Sequence, residues 1–284
     1  MELLLNDGRI DVNQPDDDGQ TAFSIACSLN RIEIVKLLLN DSGVDVNKSK
    51  NSRATPFLIA CREGYNEIVK ILLSDERVDI NRTRMNHWAP LYVACEKGNI
   101  ELIKLLLNDE RIDVNKADDD GQTPFYIACC LKRIGAVKLL LDDKRIDINR
   151  PNTNGETPLH IICFQGNIEI VKLLLNDHRI GVNKVDRDGQ TSFLIACSRN
   201  RIEMVQLLLN DDRVDINKAD KKSRTPLYYL CKHGNLQGVE CILASGSEGN
   251  RNHQLEVNIA RESEKEKKGK WESEEYFQQR KKKI

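Results

Sequence analysis

An all-α repeat solenoid, with stacked antiparallel helix pairs joined by β-hairpin or extended loops, is the fold this sequence predicts. Three rows of residues predict it. Cysteine recurs every 34 residues at Cys27, Cys61, Cys95, Cys129, Cys163, Cys197 and Cys231. Asparagine keeps the same step at Asn13, Asn47, Asn81, Asn115, Asn149, Asn183 and Asn217. A third row runs through Thr21, Thr55, Ala89, Thr123, Thr157, Thr191 and Thr225. A period between about 20 and 50 residues marks supersecondary units, each unable to bury its apolar face alone.

The chain divides into three parts on this basis. Residues 1–12 read as the remnant of a truncated repeat, because Met1-Glu2-Leu3-Leu4-Leu5 aligns one period before Val35-Lys36-Leu37-Leu38-Leu39. No complete polar cap then precedes the first repeat, so it should expose apolar surface, and the chain reads as a fragment of a longer protein. Residues 13–244 form a seven-repeat array. Residues 245–284 are rich in Lys, Arg, Glu and Asp with few apolar positions, and read as a charged tail, disordered or helical near 262–283.

Within one repeat, the fifth shows why each element forms. Thr157 can cap a helix, Pro158 suits the first helical position and Gly166 supplies a left-handed stop, so a short helix spans Thr157 to Phe164. After the glycine, Ile168, Val171, Leu174 and Leu175 fall three and four apart, the spacing of one helical face. Residues 176–190 are polar and rich in turn formers with one Ile/Val alternation, which reads as an extended loop or hairpin.

Thr157-Pro158-Leu159-His160, Gly166-Asn167-Ile168-Glu169-Ile170-Val171-Lys172-Leu173-Leu174-Leu175 and Asp113-Val114-Asn115 together resemble the ankyrin repeat. That family has a period of about 33 residues. This chain is one residue longer, with Asn108-Asp109-Glu110-Arg111-Ile112-Asp113-Val114-Asn115 after its second helix, and the added residue is expected to extend the turn and leave the stack unchanged. The fourth repeat departs further. Lys132 takes the glycine slot, and Gly135 and Ala136 replace Glu and Ile, so this repeat is expected to be the least stable internal unit. The seventh, with Gly238 and Cys241 in place of aliphatics, reads as terminal.

Catalytic signatures are missing: no phosphate-cradling glycine loop, His-Glu-x-x-His, Cys-x-x-Cys or Gly-x-Ser-x-Gly occurs. The five histidines lie in different repeats or in the tail, and His160 fits a structural slot that can tie adjacent hairpins by hydrogen bonds. The cysteine row reads as packing, since neighbouring helices lie too far apart for disulfides. Cys130 differs by falling at an outward slot. Apolar residues at 40% and a net charge of -1 fit a soluble chain with no global attraction to nucleic acid or anionic membranes. No apolar run is long enough for a signal peptide or membrane insertion. The expected compartment is cytoplasmic, with a nuclear alternative from the basic run Arg280-Lys281-Lys282-Lys283.

Function should then lie on a recognition surface. The resemblance implies protein partners met through hairpin tips and the exposed end of each first helix, with no cofactor, metal or small-molecule substrate. The candidate contact residues are Cys130, Leu131 and Phe164, an apolar run among mostly polar helix ends in adjacent repeats, with Met85 and Trp88 on the preceding hairpin tip. A second candidate is a basic patch of Lys218, Lys221, Lys222, Arg224 and Lys232. The leading function is a non-enzymatic interaction scaffold or adaptor, monomeric, with end-on association through the uncapped N-terminal face as a variant. The alternatives are a targeting or regulatory segment of a larger protein, or an acidic partner or nucleic acid held by the basic last repeat and tail. Basic and acidic tips alternate along the array, which weakens the nucleic-acid reading.

Overall fold

The computed structural model describes residues 10–49, 51, 54–83 and 87–245. Met85, Lys50, Arg53, Arg84, most of the N-terminal remnant and the tail from 246 onward lie outside the described residues. Among those described, the secondary structure is fourteen α-helices with no strand. The chain divides into two compact units, Met1–Thr153 and Asn154–Ile284.

The first unit holds four helix pairs: α1 (Ala22–Ser28) with α2 (Ile32–Leu39), α3 (Pro56–Glu63) with α4 (Asn66–Leu73), α5 (Pro90–Lys97) with α6 (Ile100–Leu107), and α7 (Pro124–Cys130) with α8 (Ile134–Asp142). The second holds three: α9 (Pro158–Gln165) with α10 (Ile168–Leu175), α11 (Ser192–Ser198) with α12 (Ile202–Leu209), and α13 (Pro226–His233) with α14 (Leu236–Ser245). Within each unit, first helices pack on first helices and second on second, which makes each unit an all-α repeat solenoid.

Local chemistry sets the helix boundaries. Thr55, Thr123, Thr191 and Thr225 each accept a hydrogen bond from the backbone N–H three residues on, at 3.1 to 3.2 Å. Ala89 holds the same extended conformation with no side-chain cap to offer. The first helices end on left-handed residues: Gly64, Gly98, Gly166 and Gly234, with Asn30, Lys132 and Asn200 in the same conformation at φ of 56° to 58°. A second turn brings the chain back, and Asn99 and Asn167 cap α6 and α10 at 3.1 Å.

The core is the apolar stripe of these helices, with Val69, Leu72, Leu102, Ile103, Leu106, Ile170, Val171 and Leu174 fully buried. Burying each such side chain contributes about 2 kcal/mol before ordering costs. The cysteine row lies in this core without disulfides, and burial pushes the Cys27 thiol up to about 12 and the thiols of Cys61, Cys95, Cys163 and Cys197 above the usual range. These are packing residues, as the spacing suggested. At the other extreme, Ile25 and Ile34 of the first repeat are exposed, whereas Ile59 and Ile68 in the same slots of the second are buried.

The connecting segments follow the extended alternative, closed by turns. Asp118 N–H donates to Gln122 O at 3.0 Å and Gly121 N–H to Asp118 O at 3.0 Å, and the Asp118 carboxylate accepts from the N–H groups of Asp120 and Gln122. The same pattern recurs at Asp16 and Asp186. One isolated antiparallel bridge joins Val185 to Thr191.

Candidate protein-interaction surface

The loops are held from one repeat to the next by the asparagine row. Asn47 donates its side-chain amide to Arg77 O at 2.7 Å and accepts from Asp79 N–H at 2.8 Å. Asn13, Asn81 and Asn115 do the same in the first unit, and Asn183 does so in the second. Asparagine fits this slot because its amide offers a donor and an acceptor side by side, matching a C=O and an N–H two residues apart in the neighbouring loop. The neighbouring Asp residues fold each loop on itself, as with Asn81 N–H to Asp79 Oδ1 at 3.1 Å.

A row of arginines closes the second-helix ends. Arg111 makes a two-point ion pair with Asp109, and its Nη2 also donates to Leu73 O, the last carbonyl of α4, at 2.8 Å. Arg77, Arg145 and Arg213 repeat this on Leu39, Leu107 and Leu175 at 2.7 to 2.9 Å. A cation at a helix C-terminus satisfies an orphan carbonyl and opposes the negative end of the dipole. Hydrogen bonds from Arg111 hold the Asp109 carboxyl below its usual range against the opposing effect of burial. The sequence alone carried the signal, since these arginines keep the step of 34, but their role needed the fold.

With the loop polar groups so engaged, the first-helix ends stand out. Leu131, the residue closing α7 in the first unit, is 41% exposed. Phe164, on the last turn of α9 in the second unit, is also 41% exposed, and the Arg199 guanidinium lies 4.1 Å from its ring centroid. Arg199 was legible only as a polar helix-end residue, and its stacking makes Phe164 part of an aromatic–cation pair. Cys130 is half-buried beside Leu131. Trp88 is half-buried too, stacked on Tyr92 with ring centroids 5.6 Å apart and set against Ala54, Leu58, Ile59 and Val93. Much of its indole is thus structural. Burial and then the nearby Asp118 carboxylate push the Tyr92 hydroxyl well up.

The basic patch separates into two kinds of residue. Arg224 is engaged: it donates to the buried Asp220 carboxylate at 2.7 to 2.8 Å and lies 5.1 Å from the Tyr229 ring centroid. Burial alone would raise the Asp220 carboxyl, but bonds from Arg224, the backbone and Tyr229 outweigh it and hold the group at about 2. Arg224 therefore does not add a loose positive charge. Lys218, Lys221, Lys222 and Lys232 are exposed.

Among the described residues no three His, Cys, Asp or Glu side chains converge as a metal site, and no helix is long and apolar enough to cross a membrane.

A family model described as ankyrin repeats in three copies matches residues 1–84, 57–152 and 159–253, and another described as ankyrin repeats in many copies matches residues 131–175. No curated protein matches the sequence significantly. Among solved structures, the fold is similar to the ankyrin repeat domain of Bcl-3, a member of the IkappaB protein family, with a TM-score of 0.70 at 23% identity over 75% of this chain and 95% of that one. It is similar also to an ankyrin repeat domain from Acinetobacter baumannii AYE, with a TM-score of 0.62 at 26% identity over 67% of this chain and 97% of that one. Matches that together span both units, on a fold of repeated helix pairs, show that the chain belongs to the ankyrin repeat family.

Proposed function

We propose that this chain is a non-enzymatic scaffold that binds protein partners through the exposed ends of its first helices. Ankyrin repeats are generally modules for protein–protein interaction, and the reading rests on one contrast within this molecule. The loop amides, carboxylates and guanidinium groups are engaged in holding repeat to repeat, while the large apolar side chains Leu131 and Phe164 are left exposed. An aromatic or aliphatic anchor rimmed by charge is the composition of an interaction hot spot, and Phe164 under Arg199 supplies both parts. Trp88 extends the first unit's share of the surface as a preorganised edge and not a mobile anchor.

Affinity capture from cell lysate tests this reading with Leu131→Asp and Phe164→Asp variants, once circular dichroism shows native helix content. Both residues are exposed, so folding should survive, and each variant should lose partners that the unaltered chain retains. Identical capture by all three chains would reject these helix ends as the contact surface.

A second reading draws on the exposed Lys218, Lys221, Lys222 and Lys232, in a stretch where Arg224 neutralises the charge of Asp220. It assigns an acidic protein segment to the last repeat. Binding that weakens steeply with salt and disappears in a Lys221→Glu, Lys222→Glu variant would favour it over the apolar surface.

A further inference from the structure

The three first-helix ends of the second unit carry positive charge and no negative charge. Residues 164–167, 198–201 and 232–235 contain no Asp or Glu. They supply Arg199, Arg201 and Lys232, all exposed, and none of these pairs with a carboxylate among the described residues. The nearest carboxylates in sequence, Glu169 and Glu203, lie in the first turns of α10 and α12. In the first unit the counterpart Glu101 is taken up by second-helix residues, Asn66 at 2.9 Å and Lys70 at 3.9 Å. The first unit also neutralises a first-helix end directly, with Arg62 paired to Glu63 at 2.7 Å. No such acid stands at the ends of α9, α11 or α13.

Three contacts order these charges around one aromatic ring. The Arg199 guanidinium lies over Phe164, 4.1 Å from its centroid. A guanidinium over a ring still offers N–H donors at its edge, where a carboxylate can take two of them. Arg201 lies against Gly166, where an added Cβ would meet its Cδ at 3.4 Å, so a second cation sits at the end of α9. The His233 Nε2–H donates to Ser198 O at 2.8 Å, which seats the α13 end, with Lys232, beside the α11 end.

We infer that the partner of this surface is an extended acidic segment with one apolar anchor, which rests on the first-helix reading above and gives it a partner chemistry. The anchor, aromatic or large and aliphatic, packs on the exposed part of Phe164. A carboxylate beside it takes the Arg199 edge, and further carboxylates meet Arg201 and Lys232. Packed helices lie about 8–10 Å apart, so the run from α9 to α13 spans about 16–20 Å, the length of about five or six extended residues. Charge of one sign on the surface speeds encounter with such a segment and rejects basic ones.

The test is a displayed library of random short peptides selected on the full chain. Enriched peptides should carry Asp or Glu within about two residues of an aromatic or large aliphatic side chain, and should weaken several-fold between about 0.05 and 0.3 M salt. The Arg199→Gln, Arg201→Gln double variant should weaken them at least about tenfold, and Phe164→Ala should do the same. These side chains are exposed, so folding should survive, and the salt dependence needs no variant at all. The Lys221→Glu, Lys222→Glu variant should leave binding within about twofold. Enriched peptides that need Phe164 but carry no acidic bias would overturn the inference and leave the helix-end reading standing. Peptides indifferent to Phe164→Ala and to the double arginine variant would overturn both. Acidic peptides lost only with Lys221→Glu, Lys222→Glu, or a library that yields no binder, would overturn the inference.

Discussion

His160 joins two loops of its unit: its Nε2–H donates to Gln190 O at 3.0 Å, while Nδ1 accepts from the Thr157 N–H at 3.1 Å. Acceptance at Nδ1 requires the neutral ring, and burial, outweighing the bond to Gln190, lowers the His160 pKa below its ordinary value. A group with a lowered folded pKa contributes stability that is complete above the unfolded value of about 6.5 and is lost as pH falls toward the folded value. Urea midpoints measured from pH 7.5 to 5 should therefore fall, and a His160→Leu variant should show a smaller fall from a lower starting point. An equal slope in both proteins would show that His160 does not titrate in this window.

The arginine row should matter individually. Replacing Arg111 by Ala removes its bonds to Leu73 O and Asp109, and after discounting for its partial exposure the loss is about 1 kcal/mol. Arg111→Lys should recover less than half of that, because an ammonium cannot make the two-point pair and reach the carbonyl together. Chemical denaturation of both variants checks the ranking. A full recovery by lysine would mean that charge alone does the work.

Two departures from the repeat pattern should be correctable. Ala89 lies in the backbone conformation of the capping threonines, so Ala89→Thr should add a cap and stabilise the first unit by about 1 kcal/mol. Lys132 is held at φ 58°, and Lys132→Gly should recover about 1 kcal/mol. The Gly135 position is different, because a Cβ there would meet Ile100 Cδ1 at 2.9 Å, so filling it calls for a shift of that side chain. Melting curves test the substitutions, and amide exchange should show α7 and α8 opening before α5 and α6. Equal or greater protection of α7 and α8 would contradict the weak fourth repeat.

The periodic rows made most of the fold legible. Threonine, glycine and the Leu-Leu-Leu runs act locally, through capping, left-handed stops and one apolar face, so their spacing maps directly onto helix starts and ends. Lys132 illustrates how strong this register is, since a residue poorly suited to the left-handed region still adopts it. The asparagine and arginine rows were visible as patterns but not as mechanisms. Their partners lie about one repeat away, at separations of 30 to 38 residues, and only stacking brings them together. Candidate contact residues were less legible still. Trp88 and Phe164 are both aromatic residues in loop or helix-end positions, yet one is stacked on Tyr92 against the core and the other stands exposed under Arg199. Composition cannot separate them, because the difference lies in which neighbour the fold sets beside each ring.

On the proposed function, the first-helix ends, and not the second-helix faces, meet the partner. The most direct test is photocrosslinking in lysate from a reactive amino acid placed singly at Leu131, Phe164, Lys104 or Lys172, the last two being exposed on second helices. Specific adducts are expected from positions 131 and 164 and none from 104 and 172. Adducts confined to the second-helix positions, or of equal yield from all four, would contradict it.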